Sequence, residues 1–327
     1  MQSGQRHQHD VSRMSAGAFA LANSLRRLAA ITAALLLAPA LANSQAWLPQ
    51  QGSLAVGLTY NDVLNQNHYL PNGDEFDAGH TRSDAYGLSL AYSPTDRLML
   101  TAGLPYVQTR YWGKRPHPTE VDNGDEHGAW TDLRVSMHYQ LLLQPFALAP
   151  YVAFVTPVTN YETLGHAAPG RGLNETWLGF GAGKSLNDWL PRTYVQGRAN
   201  YAFVERIAGV KHDRTNLDFE VGYFVTPQWS VRALAFWQFA HGGVEVPMPP
   251  SNPLYPYHDR LAADEHTNLG LGASYAASSQ ISMYVLYLES ISGRNGHKVD
   301  QGLTVGMSYG FAPLRQRISD ATASTSQ

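Results

Sequence analysis

Asp132, Arg134, Ser136, His138 and Gln140 take every second position of one run, and Leu133, Val135, Met137, Tyr139 and Leu141 fill the positions between. In an extended strand this spacing collects the polar groups on one face and the apolar groups on the other. Two later runs repeat it. Gln196, Arg198 and Asn200 alternate with Val195, Ala199 and Tyr201, and Asp218 and Glu220 alternate with Leu217, Phe219 and Val221. Arg232 and Gln238 extend the polar set. Successive antiparallel strands bring Arg198 near Asp218 and Glu220, with Arg232 one strand further on. Such a set of both signs fits a ladder that guides a solute through a pore. It fits equally a salt-bridged plug that satisfies charge inside a narrow barrel. Spacing alone leaves both readings open.

Catalytic readings fare worse. Ser136 and His138 supply a nucleophile and a base, but on the polar, inward face, away from any membrane lipid. The His in loops (His68, His80, His117, His127, His166, His241, His258, His266, His297) show no tight pairing on a lipid-facing strand and read as solvated. Gly179-Phe180-Gly181-Ala182-Gly183-Lys184-Ser185 has the look of a phosphate loop, yet the motif's first Gly should stand at position 178, where Leu178 is found. Asp74-Glu75-Phe76-Asp77 and Asp122-Asn123-Gly124-Asp125-Glu126 offer oxygen donors of the kind that Ca²⁺ prefers, without EF-hand spacing, and read as solvated loop charge. The residues therefore point to no catalytic site, no cofactor and no metal site, and to a protein that is not an enzyme.

The elements that must position the polar set are strands. Alternation with a period of two is clear at 53–60, 85–92, 132–141, 193–203, 217–225 and 302–311. It is weaker near 97–110, 148–159, 176–186, 229–240, 266–276 and 280–290, the last with apolar residues on both faces and no legible orientation. Together these make about twelve strands, an even number suited to a bacterial barrel. Connections alternate in length. Short turns at 93–96, 142–147, 187–191, 226–228 and 277–279 carry Pro, Asp, Asn or Ser, whereas 61–81, 111–128, 160–174, 206–214, 241–264 and 291–298 are long and polar. Tyr60, Tyr92, Tyr106, Tyr139, Tyr201, Tyr223, Trp237, Tyr275 and Tyr309 fall near strand ends on the apolar face, as rings of a membrane girdle do. The expected fold is all-β: a transmembrane antiparallel up-and-down β-barrel with short periplasmic turns and long extracellular loops.

The N-terminal region carries Arg26 and Arg27, an apolar run from Leu28 to Ala38, and Ala40-Leu41-Ala42, the layout of a secretory signal peptide over residues 1–42 with a true start at Met14 or Met1. The barrel is expected over 43–311 and a disordered tail over 312–327, where Ser, Thr and Ala dominate. No mature segment approaches the roughly 20 apolar residues of a membrane helix. There is no Cys, so stability must come from a large closed sheet rather than disulfides. Loss of residues 1–42 removes four basic residues (Arg6, Arg13, Arg26, Arg27) and one acidic (Asp10), moving the formal net charge from −3 to −6 and excluding a nucleic-acid partner.

Four short segments carry a family likeness: Gly103-Leu104-Pro105-Tyr106, Thr131-Asp132-Leu133, Thr156-Pro157-Val158 and Leu178-Gly179-Phe180-Gly181-Ala182-Gly183. In that order they resemble the outer-membrane barrel family named for the meta-pathway of phenol degradation. The resemblance implies a bacterial outer-membrane channel that takes up small hydrophobic or aromatic molecules by facilitated diffusion, and supplies no catalytic residues. The alternatives are a plugged structural or surface-binding barrel, or an outer-membrane lipid hydrolase. Expected partners are outer-membrane lipid and lipopolysaccharide, a small-molecule solute, and the barrel-assembly machinery through the strand that ends at Phe311.

Overall fold

The computed structural model describes residues 46–77, 79–113 and 121–311. The expected signal peptide and C-terminal tail lie outside them. The strands are β1 (Leu54–Asn65), β2 (His68–Tyr69), β3 (Glu75–Phe76), β4 (His80–Thr95), β5 (Leu98–Trp112), β6 (Glu126–Trp130), β7 (Asp132–Tyr139) and β8 (Ala147–Pro157). They continue as β9 (Glu175–Ser185), β10 (Thr193–Val204), β11 (His212–Phe224), β12 (Trp229–Gly242), β13 (Glu265–Ala276), β14 (Ile281–Arg294), β15 (Gly296–His297) and β16 (Gln301–Phe311). A 3₁₀ turn (Tyr255–Tyr257) and a short α-helix, α1 (His258–Leu261), lie between β12 and β13.

Each long strand pairs antiparallel with its neighbours in the chain, and β16 returns to β1, where Leu54 faces Phe311 and Leu64 faces Gln301. β6 and β7 both pair with β5 and are two runs of one strand, so the cylinder closes with twelve staves. The interruption has a cause. Pro105 on β5 has no N–H to give, and the break at Thr131 lets the Thr131 amide donate to the Pro105 carbonyl at 3.1 Å. All twelve expected strands are present. Several run further at the loop end than their alternation indicated: β1 reaches Asn65, β4 starts at His80 and β11 at His212. These extensions carry polar residues on both faces, so pattern alone could not show them.

Alternation sets what faces out. Leu58, Leu178 and Leu271 are 52, 51 and 69% exposed, within a continuous outer surface of Leu, Val, Phe and Met. An apolar surface far larger than the few hundred Å² tolerated on a soluble monomer belongs in hydrocarbon. Aromatic side chains ring its two edges: Tyr92, Tyr139, Tyr223 and Trp229 at the short-turn end, Trp130 and Phe203 at the loop end. The structure also orients β14. Met283, Val285 and Tyr287 face out, while Tyr284, Leu286 and Leu288 face the lumen.

Leu271→Arg at mid-strand should destabilise the folded barrel in lipid vesicles by about 2–4 kcal/mol, read from denaturant titration of Trp fluorescence. An unchanged midpoint would contradict a lipid-embedded outer face.

Candidate functional site

The barrel encloses a cavity of about 990 Å³. Asp132, Arg134, His138, Arg198, Asp218, Glu220, Arg232 and Gln238 line it. Gln196 and Asn200 also point inward but are buried in the wall, Gln196 donating to Glu220 at 3.1 Å and Asn200 accepting from Asn216 at 2.9 Å. Gln140 does something else. Its Oε1 accepts from the Leu48 amide at 2.8 Å and its Nε2 donates to the Ala46 carbonyl at 3.1 Å, which fixes the N-terminal segment inside the short-turn mouth. Leu48 packs there on Ala91, Met99 and Ala149. A side chain at Gly183 would strike Ala46 and Trp47, so that site keeps glycine.

The lining is two-sided. β7 to β12 contribute the charges. Arg198 pairs with Asp218, Arg232 with Glu220 at 3.4 Å, and Arg214 reaches both oxygens of Glu175 at 2.9 and 2.7 Å. Glu220 also accepts from the Tyr194 hydroxyl at 2.5 Å, so a carboxylate only 1% exposed meets three donors. Asp132 accepts from Tyr161 at 2.5 Å. Arg134 is the exception. Among the described residues it has no carboxylate within ion-pair reach; its guanidinium lies 4.1 Å from the centroid of Trp177 and is exposed to the cavity. Beside it His138 stacks on Tyr151 at 4.9 Å. From β12 and β14, Leu234, Phe236, Tyr284, Leu286 and Leu288 form an apolar wall that the alternation of β14 had left unassigned.

Ser136 and His138 do meet, with Oγ to Nε2 at 2.8 Å. Thr101 shares the Ser136 hydroxyl at 2.6 Å, and among the described residues no carboxylate orients the imidazole. A serine hydrolase needs that third group. The pair reads as part of a hydroxyl network on the lumen wall.

The loop end was expected to be solvated, and there the structure corrects the sequence reading. His68 and His166 are 5 and 6% exposed, and Asp122 is 2% exposed and accepts from the Ala167 amide at 2.9 Å. The connections fold onto one another: β2, β3 and β15 form a small sheet, and Arg260 of α1 donates to the carbonyls of Arg171 and Gly172 at 2.7 and 2.8 Å. Glu75 pairs with Lys298 at 2.9 Å while staying exposed, and Asp74, Asp77, Asp125 and Glu126 are exposed as expected. His80 and His127 are half-buried, His241 is exposed, and His117 lies outside the described residues. Under the cap Arg171 and Asp264 pair at 2.7 Å. Burial would raise the Asp264 carboxyl, but Arg171 and the His212 ring hold it well below the usual carboxylate range. Burial, with the adjoining His297 and His166 rings, pushes His68 down to about 2, and burial lowers His297 as well. None of Arg171, Glu175, Arg214 or Asp264 was singled out from sequence. Glu175 and Arg214 could have been found once β9 and β11 were extended; Arg171 and Asp264 sit in connections with no period to read.

No protein-family model matches the chain, and no curated protein does. Among solved structures, the COG4313 outer membrane channel from Pseudomonas putida F1 matches with 15% identity and a TM-score of 0.64 over 83% of this chain and 100% of that one. The chain is an outer-membrane β-barrel. The NanC porin (11% identity, TM-score 0.44, 78% of this chain and 98% of that one) and the CymD monoaromatic hydrocarbon channel (13%, 0.39, 80% and 89%) match more loosely.

Two variants probe this outer-membrane barrel. Glu220→Ala strands Arg232, Tyr194 and Gln196 without their acceptor and should cost about 3–5 kcal/mol in an unfolding titration. Gln140→Ala should free residues 46–50 for cleavage by protease added at the short-turn face, with the barrel core intact on a gel.

Proposed function

We propose that the barrel is a passive channel for small amphipathic solutes, aromatic carboxylates foremost. The observation that carries this reading is the two-sided lumen, with one cavity-exposed guanidinium, Arg134, that has no ion-pair partner among the described residues, whereas Arg171, Arg198, Arg214 and Arg232 are each paired with a carboxylate. A carboxylate can accept from the Arg134 fork. The apolar body of the same solute can rest against Leu234, Phe236 and Leu286, whose strands lie about half the circumference away. Four matched ion pairs contribute little net field, and Asp132, two residues along the same strand face, moderates the pull of Arg134, so a solute meets a weak attraction rather than a deep well. Conduction requires that balance: binding strong enough to replace some hydration and weak enough to release. The kinship with the phenol meta-pathway barrels belongs to this proposal, as does uptake of aromatic compounds.

Purified protein in planar bilayers should show discrete conductance steps. Liposomes should swell faster in benzoate than in acetate of equal osmolarity once diffusion through protein-free membrane is subtracted. Arg134→Glu should shift the reversal potential towards cations and abolish the benzoate preference. A second reading, a closed structural barrel, is favoured by the Leu48 segment at one mouth and the folded cap at the other. Folded, inserted protein that never conducts would establish that reading and overturn the channel.

A further inference from the structure

His68, His166 and His297 come from three different connections, β1 to β4, β8 to β9 and β14 to β16, yet each offers a ring nitrogen within 4.8 Å of the others. We propose that they form a binding site for a first-row transition-metal ion, Zn²⁺ by its donor set, which staples the extracellular cap shut.

Geometry supplies the first support. His166 Nδ1 and His297 Nε2 stand 3.2 Å apart, and Asp259 Oδ1 lies 3.6 Å from the same His166 atom. Ligands about 2.0–2.1 Å from a tetrahedral ion are separated by about 3.3–3.4 Å, so these spacings match the edges of a tetrahedron. The second support is independent of it. Both ring nitrogens of buried His68 lack a hydrogen-bond partner among the described residues, although its ring packs 4.3 Å from His297 and 5.0 Å from His166. A buried imidazole left so is costly, and an ion would take one of the two nitrogens. Three neutral imidazoles and a carboxylate suit Zn²⁺ or Cu²⁺ and do not suit Ca²⁺ or Mg²⁺, which demand oxygen.

Position gives the site its effect. A cavity of about 100 Å³ holds the three His, and Arg171 and Asp264 line both it and the large lumen cavity. The ion would tie four connections together directly above that ion pair, since Asp259 belongs to the β12 to β13 connection.

The test is Zn²⁺ titration of the full barrel in detergent, by calorimetry, with protease protection of the cap read in parallel. One equivalent should bind, and Zn²⁺ should slow cleavage of the loops. His297→Gln and His166→Ala should each weaken binding by more than about tenfold. His241→Ala, at an exposed ring outside the cluster, should leave it unchanged, and heat-modifiable gel mobility verifies that every variant is folded. Binding that survives both cluster variants, or that Ca²⁺ displaces at equal concentration, would overturn the site. Neither result depends on whether the barrel conducts.

Discussion

In hydrocarbon a backbone amide has no water to bond, and each unpaired one costs several kcal/mol. That constraint fixes the architecture. A sheet with two free edges cannot exist there, so β16 must come back to β1, and Leu54 to Leu64 find partners from Phe311 to Gln301. Even at Pro105, which has no N–H, the carbonyl keeps a partner, accepting from the Thr131 amide where the neighbouring strand is interrupted. Once the cylinder is closed, period-two alternation leaves each side chain only two choices, lipid or lumen. Leu271 and Arg232 differ in fate because one points outward and the other, on the neighbouring strand, points inward.

The lumen then faces its own difficulty. Charges placed inside a protein wall lose hydration, and a buried ion left alone is heavily penalised. Arg198 with Asp218, Arg232 with Glu220, Arg214 with Glu175 and Arg171 with Asp264 answer this pairwise. Glu220 shows how far the matching goes, with a tyrosine hydroxyl, an amide and a guanidinium all directed at it. Against that background Arg134 is conspicuous. Trp177 supports it by a cation–π contact, and its side chain stays exposed to the cavity.

The two mouths obey different physics from the wall. Neither touches hydrocarbon, so no alternation is imposed, and the chain there is held by long-range hydrogen bonds instead. Gln140 binds a segment 92 positions away in sequence at one end. Arg260 reaches 89 positions to Arg171 at the other. Both contacts hold chain that is not strand at the ends of the barrel.

Twelve strands, the facing of all but β14, the girdle and a mixed-sign lumen were legible in the sequence, because hydrocarbon outside and water inside write a two-residue period into the staves. Asp132, Arg134, His138, Arg198, Asp218, Glu220, Arg232 and Gln238 follow from that period alone. Pairing in space does not. Whether Arg134 or Arg232 keeps a free charge depends on which strand lies beside which, and on rotamers set by Trp177 and Glu220. The inward side of β14 was ambiguous because Tyr284 and Val285 are both apolar, and only closure of the cylinder assigned Tyr284, Leu286 and Leu288 to the lumen. The cap was hidden altogether. His68, His166 and His297 are scattered through polar connections that carry no period, and nothing local distinguishes them from solvated loop residues. They become neighbours because the barrel brings the ends of distant strands to one rim, an effect of closed topology that no single stretch of chain contains.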